Sequence, residues 1–194
     1  MVKYVIVTLF FLIFGNFSNY ILAQEKYERE SRLKQKYVPS NALNFIDSLS
    51  LKNKVKWYLE EGFESKSIEA KFKRNGEKHS IEFDIHGIIQ DVEIEMKWND
   101  LYMPFKNLII KQLKEDCIKH KIVKTQIQYT GNQTALLLKL LSDVLVKDLT
   151  VKYEIILKCH CDKNTQLFEY LFNDNGQLIM ATPIIFKPSN HLEY

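Results

Sequence analysis

From Val55 to Trp98 the chain alternates apolar and polar residues with a period of two, and this run constrains the fold more than any other feature. Val55, Trp57 and Leu59 alternate with Lys56, Tyr58 and Glu60, and Ile68, Ala70 and Phe72 alternate with Glu69, Lys71 and Lys73. Asn75-Gly76 follows at once; both central positions of a tight hairpin turn need positive φ, which Asn and Gly adopt at least cost. His79, Ile81, Phe83 and Ile85 then alternate with Ser80, Glu82 and Asp84. Beyond a second reversal at His86-Gly87, Val92, Ile94, Met96 and Trp98 alternate with Asp91, Glu93, Glu95 and Lys97. Period two puts successive side chains on opposite faces, so this stretch predicts a four-stranded antiparallel meander with one apolar and one charged face. The charged face is expected to stay in solvent.

Ahead of the meander, Pro39 suits a first helical turn, and Ala42, Phe45, Ile46 and Leu49 recur at helical spacing, which predicts a short amphipathic helix over residues 39–50. The order then recurs. Pro104 opens a second helical stripe carrying Phe105, Leu108, Ile109 and Leu113, followed by strand patterns at Val123–Tyr129, Val151–Cys159, Phe168–Phe172 and Leu178–Ile185. An insert over Gln133–Leu149 holds Leu136, Leu137, Leu138, Leu140 and Leu141, and its residues 133–142 read as an apolar helix that must bury itself. The expected fold class is α+β: two tandem repeats, each a helix packed on a four-stranded antiparallel meander, with an extra helix in the second. The expected divisions are a signal peptide over 1–23, a polar lead-in helix or arm over 24–37, repeats over 38–100 and 101–187, and a tail over 188–194.

Lys3 followed by the apolar run Val5–Phe14 and a cleavage point after Ala23 reads as an export leader, shorter than the ~20 residues a spanning helix needs. A secreted or periplasmic location without a stable membrane span is expected once the leader is removed. Three cysteines, Cys117, Cys159 and Cys161, allow at most one internal bridge; buried thiols and a bridge from Cys117 to either of the others both fit. Cys159 and Cys161 share a strand face that His160 does not, so these three residues make an awkward metal site.

With 27 Lys plus Arg against 24 Asp plus Glu, the net charge of +3 gives little support to nucleic-acid binding. Six scattered Gly residues form no phosphate-cradling loop, and no HExxH or CxxC motif occurs, so neither a cofactor nor a metal is expected. Cys117 and His120, three apart, are the pair to test for nucleophilic catalysis, but no oxyanion loop adjoins them. His79 reads as a core or rim imidazole and His86 as a turn residue. Asn132-Gln133-Thr134 matches an N-glycosylation sequon by pattern. No catalytic residue is assigned.

Ile81, Glu82, Phe83, Asp84, Gly87 and Ile89, with Asp91, Val92, Glu93 and Ile94 after them, give an aromatic-acid pair, a Gly turn and a following apolar strand. Phe172, Asp174, Gly176, Leu178 and Ile179 form a weaker second set. On these residues the chain resembles the PepSY-like proteins of Bacteroidota, which share the tandem architecture of β-lactamase inhibitor protein. The resemblance implies a peptidase-inhibiting or protein-binding module and brings no catalytic residues. The expected function is a non-enzymatic, exported binding module contacting a protein, peptide or envelope component through a sheet face or edge. Tyr58 and Ile156 are candidate contacts on the polar faces. Inhibition of an envelope hydrolase is one alternative. Carriage of a small apolar ligand is another, with Leu137 and Leu141 on a lid helix.

Overall fold

The computed structural model describes residues 26–27, 29–62, 65–141, 146–161 and 164–185; the expected leader and the C-terminal tail lie outside them. The elements in chain order are β1 (Lys26–Tyr27), β2 (Arg29–Leu33), α1 (Ser40–Ser48), β3 (Lys56–Glu61), β4 (Lys66–Arg74), β5 (Glu77–Asp84), β6 (Ile89–Glu95), α2 (Met103–Asp116), β7 (His120–Gly131), α3 (Gln133–Leu141), β8 (Leu149–Cys161), β9 (Asn164–Asn173) and β10 (Leu178–Ile185). Asn75 and Gly76 take φ of 51° and 88° at the β4–β5 hairpin, as that dipeptide predicts. Residues 29–33 form a strand paired with β3, not the expected lead-in helix or loose arm.

All the strands belong to one sheet, in the order β1-β10-β9-β8-β7-β6-β5-β4-β3-β2. This overturns the expectation of two tandem repeats, each a helix on its own meander. The two runs of strands merge where β6 pairs antiparallel with β7, from Asp91↔Thr130 to Glu95↔Gln126. Two separate meanders would each leave inner edges with unpaired backbone groups, and joining them removes both edges. The insert also crosses the expected division: α3 follows β7, yet its Leu136 and Leu140 pack into the cluster formed by α1 and β3–β6.

The helices cover the apolar side of the sheet. Ala42, Phe45 and Ile46 of α1 meet Trp57, Ala70, Ile81 and Phe83, with Phe45 edge-on to Phe83 at 5.8 Å. Ile109 and Leu113 of α2 meet Ile155, Leu157, Tyr170 and Phe172 in a second cluster. A disulfide joins Cys117, just past α2, to Cys159 of β8 across a Cα–Cα distance of 6.0 Å and ties that helix to the sheet. No described helix is long and apolar enough to cross a membrane.

The ends of the sheet are brought together by its first strands. Lys26–Tyr27 pair in parallel with Ile184–Ile185, and Arg29–Leu33 pair antiparallel with Trp57–Glu61. Only one residue separates β1 from β2, so the chain cannot carry these margins far apart, because two residues span at most ~7 Å. The sheet is therefore rolled toward a barrel, with its helices on the convex side and its charged side within. The charged face was expected to be wet; Glu69, Asp91, Gln126, Glu154 and Glu169 are instead buried.

Candidate functional site

Cross-strand pairing builds the inner wall row by row. Tyr58, Glu69, Glu82 and Asp91 stand opposite one another along successive pairs from β3 to β6, and Lys71, Ser80, Glu93 and Gln128 form the next row. Directly opposed residues share a sheet face, so both rows point inward. The rolled strands enclose a chamber of about 380 Å³ whose lining runs from Glu30 on β2 to Glu169 on β9. Nine carboxylic acids line it, against only two lysines, Lys71 and Lys124. A contiguous mouth of about 570 Å³, sharing Lys71, Ser80, Glu93 and Lys124 with the chamber, has the opposite balance: six lysines and two glutamates. The inner face is thus acidic in its chamber and basic at this mouth.

Burial and crowding of like charge govern the acids. Asp91 is pushed up to about 8, first by burial and then by Glu82 and Glu93, with Lys152 opposing. Glu93 is also pushed up, mainly by burial, although Lys124 favours its charged form. Gln128 donates to Asp91 Oδ2 at 3.2 Å, and Gln126 donates to Glu93. Lys71 answers part of the remaining charge. Burial opposes its ammonium form, but Glu69 and Glu30 outweigh that and raise its pKa. Its Nζ donates to Glu30 and lies 2.7 Å from Glu69 Oε2, close enough for an ion pair but without hydrogen-bond alignment.

The carboxylates of Glu30, Glu60 and Glu69 approach within 4.8 Å of one another, a spacing a cation could bridge. Lys71 already sits among them, so an ammonium takes that role here. On β10, Thr182 stands directly across from Glu169 of β9 and is only 3% exposed; its hydroxyl has no hydrogen-bond partner among the described residues.

Two of the residues singled out from sequence, Tyr58 and Ile156, lie on this inner wall. Tyr58 is half-buried between two cations, with Arg32 Cζ at 5.1 Å and Lys71 Nζ at 4.9 Å from its ring centre. Ile156 lines the acidic chamber between Lys124 and Glu169. Leu137 and Leu141 lie elsewhere, on α3 at the outer side. Leu137 packs on the first core cluster, whereas Leu141 borders a cleft of about 630 Å³ between α2 and α3. Cys117 is bonded to Cys159 and has no free thiol, while His120 Nδ1 is 2.6 Å from the Cys117 carbonyl oxygen. This disposes of the Cys117–His120 nucleophile. His79 is buried and stacked on Phe72 at 5.3 Å, and burial lowers its pKa. Asn132 Oδ1 accepts from the Ala135 N–H at 2.9 Å and so caps α3.

Sequence reasoning assigned Asp91 and Glu93 to an exposed charged face, and it did not single out Glu154, Glu169 or Thr182 as site residues; Asp91, Glu154, Glu169 and Thr182 are instead buried. Their alternation fixed the face, but an exposed sheet and a rolled one carry the same alternation. The signal that was present is a density of acids, Glu82, Asp91 and Glu93 above all, beyond what one hairpin face needs for solubility.

No family model matches the chain, and no curated protein matches it either. Among solved structures it is similar to a DUF2874 family protein from Bacteroides ovatus, at 14% identity over 79% of this chain and 96% of that one, with a TM-score of 0.50. A DUF2874 family protein from Bacteroides uniformis gives 12% identity, coverages of 75% and 88%, and a TM-score of 0.46. A BLIP-like protein from Bacteroides fragilis gives 13% identity, coverages of 79% and 92%, and a TM-score of 0.44. The first of these likenesses is one of fold and assigns no activity.

Proposed function

We propose that this protein is a non-enzymatic, exported module that binds a polypeptide segment through the inner face of its sheet. The observation that carries the reading is the inner wall itself, on which an acidic chamber and a lysine-rich mouth meet around Tyr58 and Ile156. A wall with both signs of charge and apolar footholds suits a segment with side chains of several kinds better than a small neutral metabolite. Export is supported by the leader pattern over residues 1–23 and by the Cys117–Cys159 bridge, a bond that persists in oxidising compartments.

Panning a random-peptide library on the purified protein tests the reading. Enriched peptides are expected to lose at least tenfold in affinity for an Ile156→Lys variant and to weaken against Tyr58→Ala. Enriched peptides that bind both variants as well as the parent contradict it, as does a panning that enriches none. A second reading, carriage of a small apolar ligand, draws on the outer cleft beside Leu141, where Ile94, Ile127, Tyr129 and Tyr153 form the floor. A hydrophobic fluorescent probe displaced by Leu141→Lys, but not by Ile156→Lys, favours that alternative.

A further inference from the structure

We propose that the lysine-rich mouth is the receptor for an acidic stretch of polypeptide, an extended segment that carries carboxylates on alternate residues. This rests on the inner-face reading above and names the side chains that face selects. Like charges directly opposite each other on neighbouring strands are destabilising. The mouth contains two such pairs side by side, Lys56↔Lys71 between β3 and β4 and Lys73↔Lys78 between β4 and β5. Lys54, two residues ahead of Lys56, and Lys124 of β7 stand on the same lining. The inward curve of the wall converges these side chains, where a flat sheet would hold them apart.

Protein carboxylates answer only part of this charge. Lys71 is held by Glu30 and Glu69, and Lys78 donates to both carboxylate oxygens of Glu95, at 2.9 and 3.0 Å. Lys124 is close enough to Glu93 to favour its charged form. Lys54, Lys56 and Lys73 are exposed and form no ion pair among the described residues. An arriving anion would therefore find three uncommitted ammonium groups and relieve a repulsion that the fold leaves standing.

Spacing and residue type select the ligand. Because Lys56 stands opposite Lys71, Lys73 is its diagonal neighbour, roughly 7 Å away. Residues i and i+2 of an extended segment are also about 7 Å apart and point to one side, so two carboxylates at that interval match the two lysines. No arginine is among the described residues of the lining, so the planar fork that grips a single phosphate is missing, whereas separate ammonium groups suit separate carboxylates. Glu93 and Glu95 share the lining and would repel a uniformly charged phosphate backbone, but a peptide can set neutral residues against them. Tyr58, on the same lining, offers an aromatic surface to a flanking side chain.

Fluorescence anisotropy at low salt and pH 7 tests this, with a labelled alternating Glu-Ala octapeptide, its Gln-Ala counterpart and a short oligothymidylate as probes. The glutamate peptide is expected to bind saturably, at least about tenfold tighter than the glutamine peptide and tighter than the oligothymidylate. The double variant Lys56→Gln, Lys73→Gln should weaken it about tenfold, the loss expected for two exposed ion pairs. Lys54→Gln alone should weaken it severalfold, while Lys114→Gln on α2, which removes the same charge elsewhere, should leave it unchanged. The replaced lysines are exposed, so the variants keep the fold, and melting temperatures no lower than the parent's check this. Equal binding of the glutamine peptide overturns the inference, as do tighter binding of the oligothymidylate and an equal loss in Lys114→Gln. Library peptides that lose affinity for Ile156→Lys, yet show no acidic preference and bind the double variant unchanged, overturn this inference and leave the inner-face reading intact.

Discussion

A methyl group at Gly87 would stand 2.8 Å from the Ala42 nitrogen and 2.9 Å from Pro39 Cβ, on a backbone with φ of +80°. Asp84 holds that turn by accepting from the His86 and Ile88 N–H groups, each at 2.8 Å, and the turn presses directly on α1. Gly87→Ala therefore combines left-handed strain with overpacking and should cost about 3 kcal/mol in urea unfolding. Gly76→Ala, at φ +88° with nothing within 4 Å, carries the strain alone and should cost about 1 kcal/mol. Equal losses at the two sites would contradict the close packing on α1. Both turns were legible as sequence, because a reversal between alternating runs leaves few residue choices. The helix packed over Gly87 was not, since nothing local specifies that contact.

At the scale of elements, α3 and the disulfide decide how the outer layer holds. Leu136 is fully buried in the cluster with α1, while Leu138 is 49% exposed on the same helix. Leu136→Ala should lower stability by about 3 kcal/mol and Leu138→Ala by under about 0.5 kcal/mol, read by denaturant titration. The run of leucines announced a buried helix, but its destination on the first group of strands depends on distant residues and could not be read from the insert. The Cys117–Cys159 bridge closes a separation of 42 residues between α2 and β8. Replacing both cysteines with serine should cost about 4 kcal/mol on chain-entropy grounds, with α2 amides losing hydrogen-exchange protection first. Unchanged protection in α2 would mean that its packing on Ile155 and Leu157 suffices without the bond. Two strand cysteines on one face left the pairing open; the chain path from α2 into β7 brings Cys117 beside Cys159.

Across the whole molecule, rolling the sheet converts a charged face into an enclosed one, and pH should report it. Asp91, at about 8, binds its proton far more tightly in the folded state than in the unfolded chain, where a carboxyl titrates near 3.9. Between those values the unfolded chain holds fewer protons, so this group's contribution to stability is complete below pH 4 and is lost as pH rises through 8. Melting temperature is expected to fall from pH 5 to pH 9, and Asp91→Asn should flatten the decline and raise the value at pH 9 by several degrees, since ~1 kcal/mol moves a chain of this size by ~2–4 °C. From α1 onward, element order was legible in the period of two and the spacing of the helices, but the strands β1 and β2 ahead of it were not. The single rolled sheet was not, because it depends on which edges find one another, β6 with β7 and the short first strands with both margins. The most direct measurement of this enclosure is a carboxyl-carbon NMR titration of Asp91 in the intact protein. The account predicts a midpoint near 8, and a midpoint near 4, as for a solvated carboxylate, would contradict it.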